Sequence, residues 1–470
     1  MLVPRRIDMW RDKRVHFVGI GGSGMSSLAK ILLRMGAVVS GSDIAQGRNI
    51  ARLARLGADI RIGHDADMVK GADLVVYSSA VPVDDPEVSA AHSLRIPTMK
   101  RGRLLAKLAE DKRLIAIAGT HGKTTTTSMV ATALVNAGLD PTYAIGGICV
   151  NLGDSGDWGG GDVLVAEADE SDGSFLWLDP TWSIVTNVDI DHLDFYQNRR
   201  SLVSAFKRFI AQTSQAGSAV LCTDCEPLRQ LATTCPARVV RYGLLGGATY
   251  SACEIELEGL GSRFVLTRDG EEILDVELSV PGSHNVQNAV GALAVCAEAG
   301  VTLEKAEAGL RTFTGVKRRF EVKADLGDVK VIDDYAHHPT EVSSTLAAAK
   351  AAGAKRVLAV FQPHRYTRTQ ALARGFARAF EDADKVFIMD IYGAGERPIP
   401  GVSSQLIMDA LRHPEPVAFC TGPEHAVSAI ASMLEPGDFV LTLGAGDVWR
   451  VADELAMRLG CAPANEEVAA

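Results

Sequence analysis

Short apolar runs alternate with helix-patterned segments along almost the whole chain, and no other feature constrains its fold as tightly. The runs RVHFVGI, AVVSGSD, DLVVYSS, LIAIAGT, DVLVAEAD, WSIVTNV, SAVLC, VKVIDDY, RVLAVFQ, KVFIMDI and DFVLTLGAGD are apolar through their centres. A strand that is apolar on both faces must be covered on both, and the intervening helices supply the cover. The pattern therefore predicts an α/β fold of parallel sheets with crossover helices. At 470 residues the chain is too long for one ordinary core. The polar breaks KRGRLLAKLAEDKR and FTGVKRRFEVK suggest boundaries near residues 110 and 315, giving three domains at 1–110, 111–315 and 316–470. Within the second, ATYSACEIELEGLGSRFVLTRDGEEILDVELSV alternates apolar and polar residues around glycine turns, which predicts a small antiparallel extra sheet.

The net charge of −10 argues against affinity built on neutralising nucleic-acid phosphates, so anionic substrates need local basic pockets. No apolar run approaches the roughly 18 residues that cross a bilayer, and MLVPRRIDMWRDKR lacks the apolar core of a secretory signal. A cytoplasmic protein without a membrane span is expected. The eight cysteines are scattered, as suits reduced core residues. Cys222 and Cys225 with Cys235 have no second close pair, which weakens a zinc reading.

In parallel sheets ligands gather at the C-terminal strand ends. The first such end is HFVGIGGSGM, a G-x-G-x-x-G turn before the helical segment SSLAKILLRMG, with Asp43 closing the next strand. That spacing matches a dinucleotide fingerprint. Its physical content is narrower: glycines allow close backbone approach and a helix N-terminus offers N–H groups to an anion. Nicotinamide dinucleotide, another diphosphate and a purely structural turn all remain compatible with it.

LIAIAGTHGKTTTTSMVATAL is more specific. A strand runs into Gly119-Thr120-His121-Gly122-Lys123-Thr124 and Thr125 and then a helix, so loop N–H groups, the Lys123 charge and the Thr124 hydroxyl suit a nucleotide phosphate with Mg²⁺. The usual G-x-x-x-x-G-K-[ST] spacing is not met, because residue 117 is Ile and the loop is two residues shorter. Two further strand ends carry Glu167, Asp169, Glu170 and Asp172, then Asp189, Asp191, His192 and Asp194. Hard oxygen ligands beside a phosphate cradle are what a divalent cation requires. His192 reads as a general base, a ligand or a packed loop residue. The third domain opens with VIDDYAHHPTE and then VFQPHRYTRT, where His and Arg at adjacent strand ends suit a carboxylate gripped by Arg365 or Arg368.

Taken in order, GIGGSGM, GTHGKTTTT, AEADESDGSF, TNVDIDHLD, GSHNVQNA, RRFE, DDYAHHPTE, FQPHRYTRT and LTLGAGD resemble the Mur ligases across nearly the whole chain. The resemblance implies a Rossmann-like UDP-binding domain, a central P-loop-type ATPase domain and a C-terminal Rossmann-like domain. It implies joining L-alanine to the lactyl carboxylate of UDP-N-acetylmuramate at the expense of ATP, through an acyl phosphate, by a monomer or weak dimer. Carried over, Lys123 contacts the β- and γ-phosphates; Thr124, Glu167 and His192 hold metal. His284, Asn285, Asn288, Arg319 and Asp334 join the ATP site, with Arg318 an alternative to Arg319. Tyr335, His337, His364, Arg365 and Arg368 form the amino-acid pocket. Gly21, Gly22, Ser23, Gly24, Met25, His64, Ser79 and Arg101 take the UDP-sugar.

Two rivals are weaker. A dehydrogenase explains residues 16 to 43 and leaves the phosphate cradle idle. A ligase recycling a whole tripeptide onto the same UDP-sugar shares the glycine loop. Sibling ligases place a carbamylated lysine between the metals, and Lys207 lies fifteen residues after His192. Its helix LVSAFKRFI, however, turns such a lysine to solvent.

Overall fold

The computed structural model describes residues 7–82 and 84–461. They form two compact units, one of Met1–Cys253, Val265–Val276 and Gln287–Phe313, the other of Glu254–Phe264, Glu277–Val286 and Thr314–Ala470. Among the described residues no helix is long and apolar enough to cross a membrane.

The first unit holds a five-stranded sheet ordered Asp59–Ile62, Val38–Asp43, Arg14–Val18, Leu74–Tyr77, Thr98–Lys100. All its pairs are parallel. The second sheet is ten-stranded: Glu271–Leu278, Gly261–Arg268, Tyr250–Glu258, Val239–Tyr242, Ser218–Cys222, Trp182–Val185, Arg113–Ala118, Val163–Glu167, Thr142–Cys149, Asp154–Asp157. Its centre is parallel. The strands from Tyr250 to Leu278 follow one another through tight turns at Gly259 and Gly270, both at positive φ, as the glycine-punctuated alternation predicts. In the second unit the six-stranded order is Glu321–Asp325, Lys330–Asp334, Asp438–Leu443, Arg356–Phe361, Lys385–Met389, Ala418–Cys420. Only the first pair is antiparallel.

Every apolar run read as a strand is one. At the sheet centres Ile115, Ala116, Ile117 and Ala118 are fully buried, as are Leu358, Ala359, Val360 and Phe361. Each large side chain so placed contributes about 1.5–3 kcal/mol of burial. Most of the unanticipated strands are edges or near-edges, although Val239–Tyr242 lies fourth in the ten-stranded order. Asp59–Ile62 is mostly exposed, and Asp154–Asp157 reads DSGD, a sequence without an apolar signature.

The helices after two strand ends begin without side-chain caps. Ser23–Arg34 starts at Gly22, and Lys123–Asn136 starts at Gly122 with φ 80°. By contrast Asp85 caps Pro86–Ser93, and Asn198 caps Arg199–Ala211. An uncapped helix start leaves N–H groups available to an anion.

Candidate functional site

Two groups of candidate residues fall in the first unit. The phosphate cradle is laid on its neighbouring strand end. Gly119 (φ 137°) has no room for a Cβ, which would lie 2.0 Å from Thr186 Oγ1. The His121 N–H donates to Asn187 Oδ1 at 2.8 Å, and Thr186 Oγ1 donates to the His121 carbonyl at 2.5 Å. Thr120 Oγ1 accepts from the Asp189 N–H at 2.9 Å. Gly122 packs against Asn288, whose Oδ1 would meet a Cβ there at 2.7 Å.

Lys123 folds back over this turn. Its Nζ donates to the Gly119 carbonyl (2.5 Å), the Thr120 carbonyl (3.2 Å) and Glu170 Oε1 (2.8 Å). Burial works against the ammonium, but Glu170, Glu167 and Asp169 outweigh it and raise its pKa. Glu170 is fully buried; its Oε1 also lies 3.4 Å from His192 Nε2, and its Oε2 has no hydrogen-bond partner among the described residues. Tyr196 anchors the turn by donating to the Glu170 carbonyl at 2.5 Å. Burial disfavours charge on His192, yet Glu170 and Asp191 overcome it and raise its pKa. Thr124 Oγ1 donates to Glu167 Oε2 at 2.9 Å, an oxygen that also accepts from the Gly146 N–H at 2.8 Å. Thr125 sits half-buried in the helix's first turn. Lys207 is exposed, as its helix predicts, and the Asp194 side chain lies outside the described residues.

At the glycine turn the first intrahelical bond runs from the Ser26 N–H to the Gly22 carbonyl. The N–H groups of Ser23, Gly24 and Met25 precede it and have no partner within the helix. Met25 itself is a core side chain, 1% exposed, so only its backbone faces the turn. Asp43 Oδ2 accepts from the Gly21 N–H at 2.8 Å; the carboxylate braces the turn. Arg101 lies across Gly24, where a Cβ would come within 3.0 Å of its guanidinium, and donates to Asp169 Oδ2 at 2.8 Å. Ser79 is exposed in the turn after Leu74–Tyr77. The helix Ser23–Arg34 is pinned to the second sheet: Lys30 Nζ donates to Asp154 (2.7 Å) and Asp157 (3.2 Å), and Ser27 Oγ to the Ile145 carbonyl (3.2 Å). Glycine turn and phosphate cradle thus belong to one compact unit.

The second unit brings the other candidates together. Arg318 and Arg319 both lie over the Tyr335 ring, 5.2 and 5.1 Å from its centroid. Arg318 (φ 61°) turns inward, donating to Asp333 Oδ2 (3.0 Å) and the Gly444 carbonyl (2.7 Å). Arg319 makes no such side-chain bond among the described residues. Burial, with Arg319 adding, lowers the His284 pKa to about 4. Asn285 Nδ2 donates to the Pro281 carbonyl at 2.8 Å. Asp334 accepts from the Phe320 and Ala336 N–H groups, both at 2.7 Å; burial, only partly offset by Arg319 and those bonds, pushes it up to about 6.

Beside it, His337 Nδ1 donates to the Tyr335 carbonyl (2.9 Å), and the His337 and His364 rings are 5.8 Å apart. His364 stacks on Tyr392 and accepts on Nδ1 from Arg368 at 3.2 Å. Burial, then His337, Arg368 and Arg365, lower its pKa to about 3, so the ring is neutral. Arg365 donates to Glu396 Oε1 at 2.6 Å. His338 caps Pro339–Ala351, accepting on Nδ1 from the Thr340 N–H at 3.2 Å.

Sequence reasoning counted Glu170 among the acids suited to a cation without singling it out, and assigned no role to Asn187, Tyr392 or Glu396. Glu170 was visible only as one acid among several. The others carry no local pattern, because their partners lie far away along the chain.

Three family models match: the Mur ligase family catalytic domain over residues 14–113, the Mur ligase middle domain over 117–296, and the Mur ligase glutamate ligase domain over 318–446. The chain is 46% identical over 453 residues to a protein of Geotalea daltonii named UDP-N-acetylmuramate–L-alanine ligase, covering 96% of this chain and 99% of that one. A Geobacter sulfurreducens protein of the same name is 45% identical, covering 95% and 98%. Among solved structures, the UDP-N-acetylmuramate-alanine ligase of Thermotoga maritima superposes with a TM-score of 0.81 at 31% identity, covering 95% of this chain and 99% of that one. A murein peptide ligase from Psychrobacter arcticus gives 0.73 at 25% identity, with coverage of 95% and 99%.

Proposed function

The chain belongs to the Mur ligase family, and from that premise we propose that it joins L-alanine to the lactyl carboxylate of UDP-N-acetylmuramate, with ATP converted to ADP and phosphate, in making peptidoglycan precursor. Residues 1–110 receive the UDP-sugar, 111–315 the ATP and 316–470 the amino acid. The work belongs in the cytoplasm, where these water-soluble substrates are made.

The observation that carries this reading is the convergence of Lys123, Glu170 and His192 on an uncapped helix start. Helix N–H groups receive phosphate oxygens, and the Lys123 ammonium exchanges its loop carbonyls for the β- and γ-phosphates. Thr124 Oγ1 and Glu167 Oε2 already meet at 2.9 Å, and Glu170, with Oε1 3.4 Å from His192, keeps Oε2 without a hydrogen-bond partner among the described residues. These hard donors fit Mg²⁺: Thr124 and Glu167 would hold one ion, and His192 a second. Bound there, the metal supplies positive charge to the transferring phosphoryl oxygens. His192 gives up its proton to act as a ligand, which makes loading favour higher pH.

Arg319, uncommitted where Arg318 is committed, supplies a further cation to the ATP. Phosphoryl transfer activates the lactyl carboxylate as an acyl phosphate. The alanine amine then attacks its carbonyl carbon, and phosphate leaves through a tetrahedral intermediate. Arg368 offers a guanidinium to the alanine carboxylate, while Arg365 is held by Glu396 and shapes the wall. Tyr335, His337 and neutral His364 complete a small pocket.

The test is phosphate release from MgATP with each substrate omitted in turn. Release requires both UDP-N-acetylmuramate and L-alanine; release undiminished without the UDP-sugar refutes the reading. Replacing L-alanine by glycine, serine or the tripeptide L-Ala-γ-D-Glu-meso-diaminopimelate measures the choice of amine.

A further inference from the structure

Next to the glycine turn lies a buried polar cluster in which only His64 has been given a role above. His16, in the middle of Arg14–Val18, is fully buried, as are Ser42 and Glu87. Glu87 Oε2 accepts from Ser42 Oγ at 2.5 Å and from His16 Nε2 at 3.2 Å, and Oε1 accepts from the Asp65 N–H at 3.0 Å. His16 Nδ1 lies 2.9 Å from Ser40 Oγ. Burial pushes the Glu87 carboxyl up, but the bonds from His16, Ser42 and Asp65 together outweigh it, so the group sits below its usual range and is ionised.

An ionised carboxylate only accepts. The single hydroxyl hydrogen of Ser42 is therefore spent on Glu87, and Ser42 Oγ can only accept from the third neighbour, His64 Nδ1, at 3.1 Å. Asp85 Oδ2 (3.4 Å) and Glu87 Oε2 (3.5 Å) face the same nitrogen and likewise call for a proton there. Nδ1 carries the hydrogen. The ring keeps 18% of its side-chain surface in solvent, and Nε2 has no partner among the described residues. His64 follows Asp59–Ile62 through Gly63, whose N–H donates to the Asp43 carbonyl at 2.8 Å. The ring thus stands at the same strand ends as the glycine turn.

We propose that Glu87, acting through the Ser42 hydroxyl, fixes the His64 ring with its proton on Nδ1, so that Nε2 accepts a hydrogen bond from a donor on the nucleoside of the UDP-sugar. The donor is the uracil imide N–H or a ribose hydroxyl. The diphosphate, which has only acceptors, is left to the helix N–H groups and Arg101. Glu87 is a positioning residue here, and the ligand half of the inference rests on the UDP reading above. His64, Asp85 and Glu87 also offer one ligand atom each within 4.8 Å of one another. A cation there would have to displace the hydrogens that Glu87 already accepts and strip Nδ1 of its proton, so the cluster is a hydrogen-bond relay.

The experiment uses the full chain labelled with ¹⁵N-histidine. Long-range proton–nitrogen spectra near neutral pH should show His64 as the neutral Nδ1–H tautomer, unchanged by added zinc. An Nε2–H tautomer, an imidazolium or a zinc-induced shift would overturn the proposal. Glu87→Gln, which brings amide hydrogens to a point where donors converge, should move His64 toward Nε2–H and weaken UDP about tenfold. If this variant does not fold, His64→Ala carries the same arm. It should weaken UDP about tenfold, yet add little further loss for whichever of N3-methyl-UDP, 2′-deoxy-UDP and 3′-deoxy-UDP lacks the donor. Equal loss for UDP, all three analogues and pyrophosphate would assign the ring to the diphosphate and overturn the proposal. Failure of the wild type to bind UDP would overturn the nucleotide reading and the ligand half with it, while the ring spectrum still decides the tautomer.

Discussion

Acid should weaken the second unit through His364, and the size of the effect follows from its surroundings. The ring's pKa falls from 6.5 to about 3 because burial and the charges of Arg368 and Arg365 oppose an imidazolium. Its folded pKa lies below its unfolded one, so between these values the unfolded chain binds the extra proton. The stability contribution is present above pH 6.5 and is lost as the pH falls below it. At about pH 5 the unfolded ring is about 1.5 units below its pKa and charged, while the folded ring is not; the cost is about 2 kcal/mol at 1.36 kcal/mol per unit. Residual hydration of the half-buried ring trims this somewhat. The perturbation is His364→Gln, which keeps an acceptor for Arg368 but cannot titrate. Urea unfolding is compared near pH 7.5 and near pH 5, with amide exchange of Arg356–Phe361 reporting on this sheet. The wild type should lose about 2 kcal/mol more than the variant between the two. Equal losses would mean that the folded ring does take up the proton, and the argument for a neutral His364 would fail.

Two further outcomes concern the phosphate turn and the paired arginines. Gly122→Ala puts a Cβ on a residue at φ 80° and within 2.7 Å of Asn288 Oδ1, strain of about 1–3 kcal/mol. ADP affinity measured by calorimetry should fall at least tenfold, and an unchanged affinity would remove this turn from the nucleotide site. Arg318→Ala strands Asp333, whose side chain is 1% exposed, and should cost about 3–5 kcal/mol of stability. Arg319→Ala should leave the melting temperature in place and raise the KM for ATP; the reverse pattern would exchange the two roles.

The sheet centres, the phosphate cradle and the glycine turn were legible in the chain itself, because they depend on local pattern. A buried parallel strand must be apolar on both faces, and a close backbone approach demands glycine at a particular step. What the tertiary structure decided were partnerships across long separations. Asp43 completes a dinucleotide fingerprint in the sequence, yet it braces Gly21. Arg101 crosses from the first sheet to Asp169 at the edge of the acid cluster. Glu170, one acid among seven in two short loops, became distinct only when Lys123 and His192 closed on one of its oxygens and left the other bare. Arg318 and Arg319 are neighbours in sequence and differ in fate because the backbone at Arg318 turns to φ 61° and commits one guanidinium inward. Periodicity is a property of a dozen consecutive residues and can be read there. Which buried charge meets which partner depends on how strands from distant parts of the chain are ordered side by side, and that ordering exists only in the folded protein.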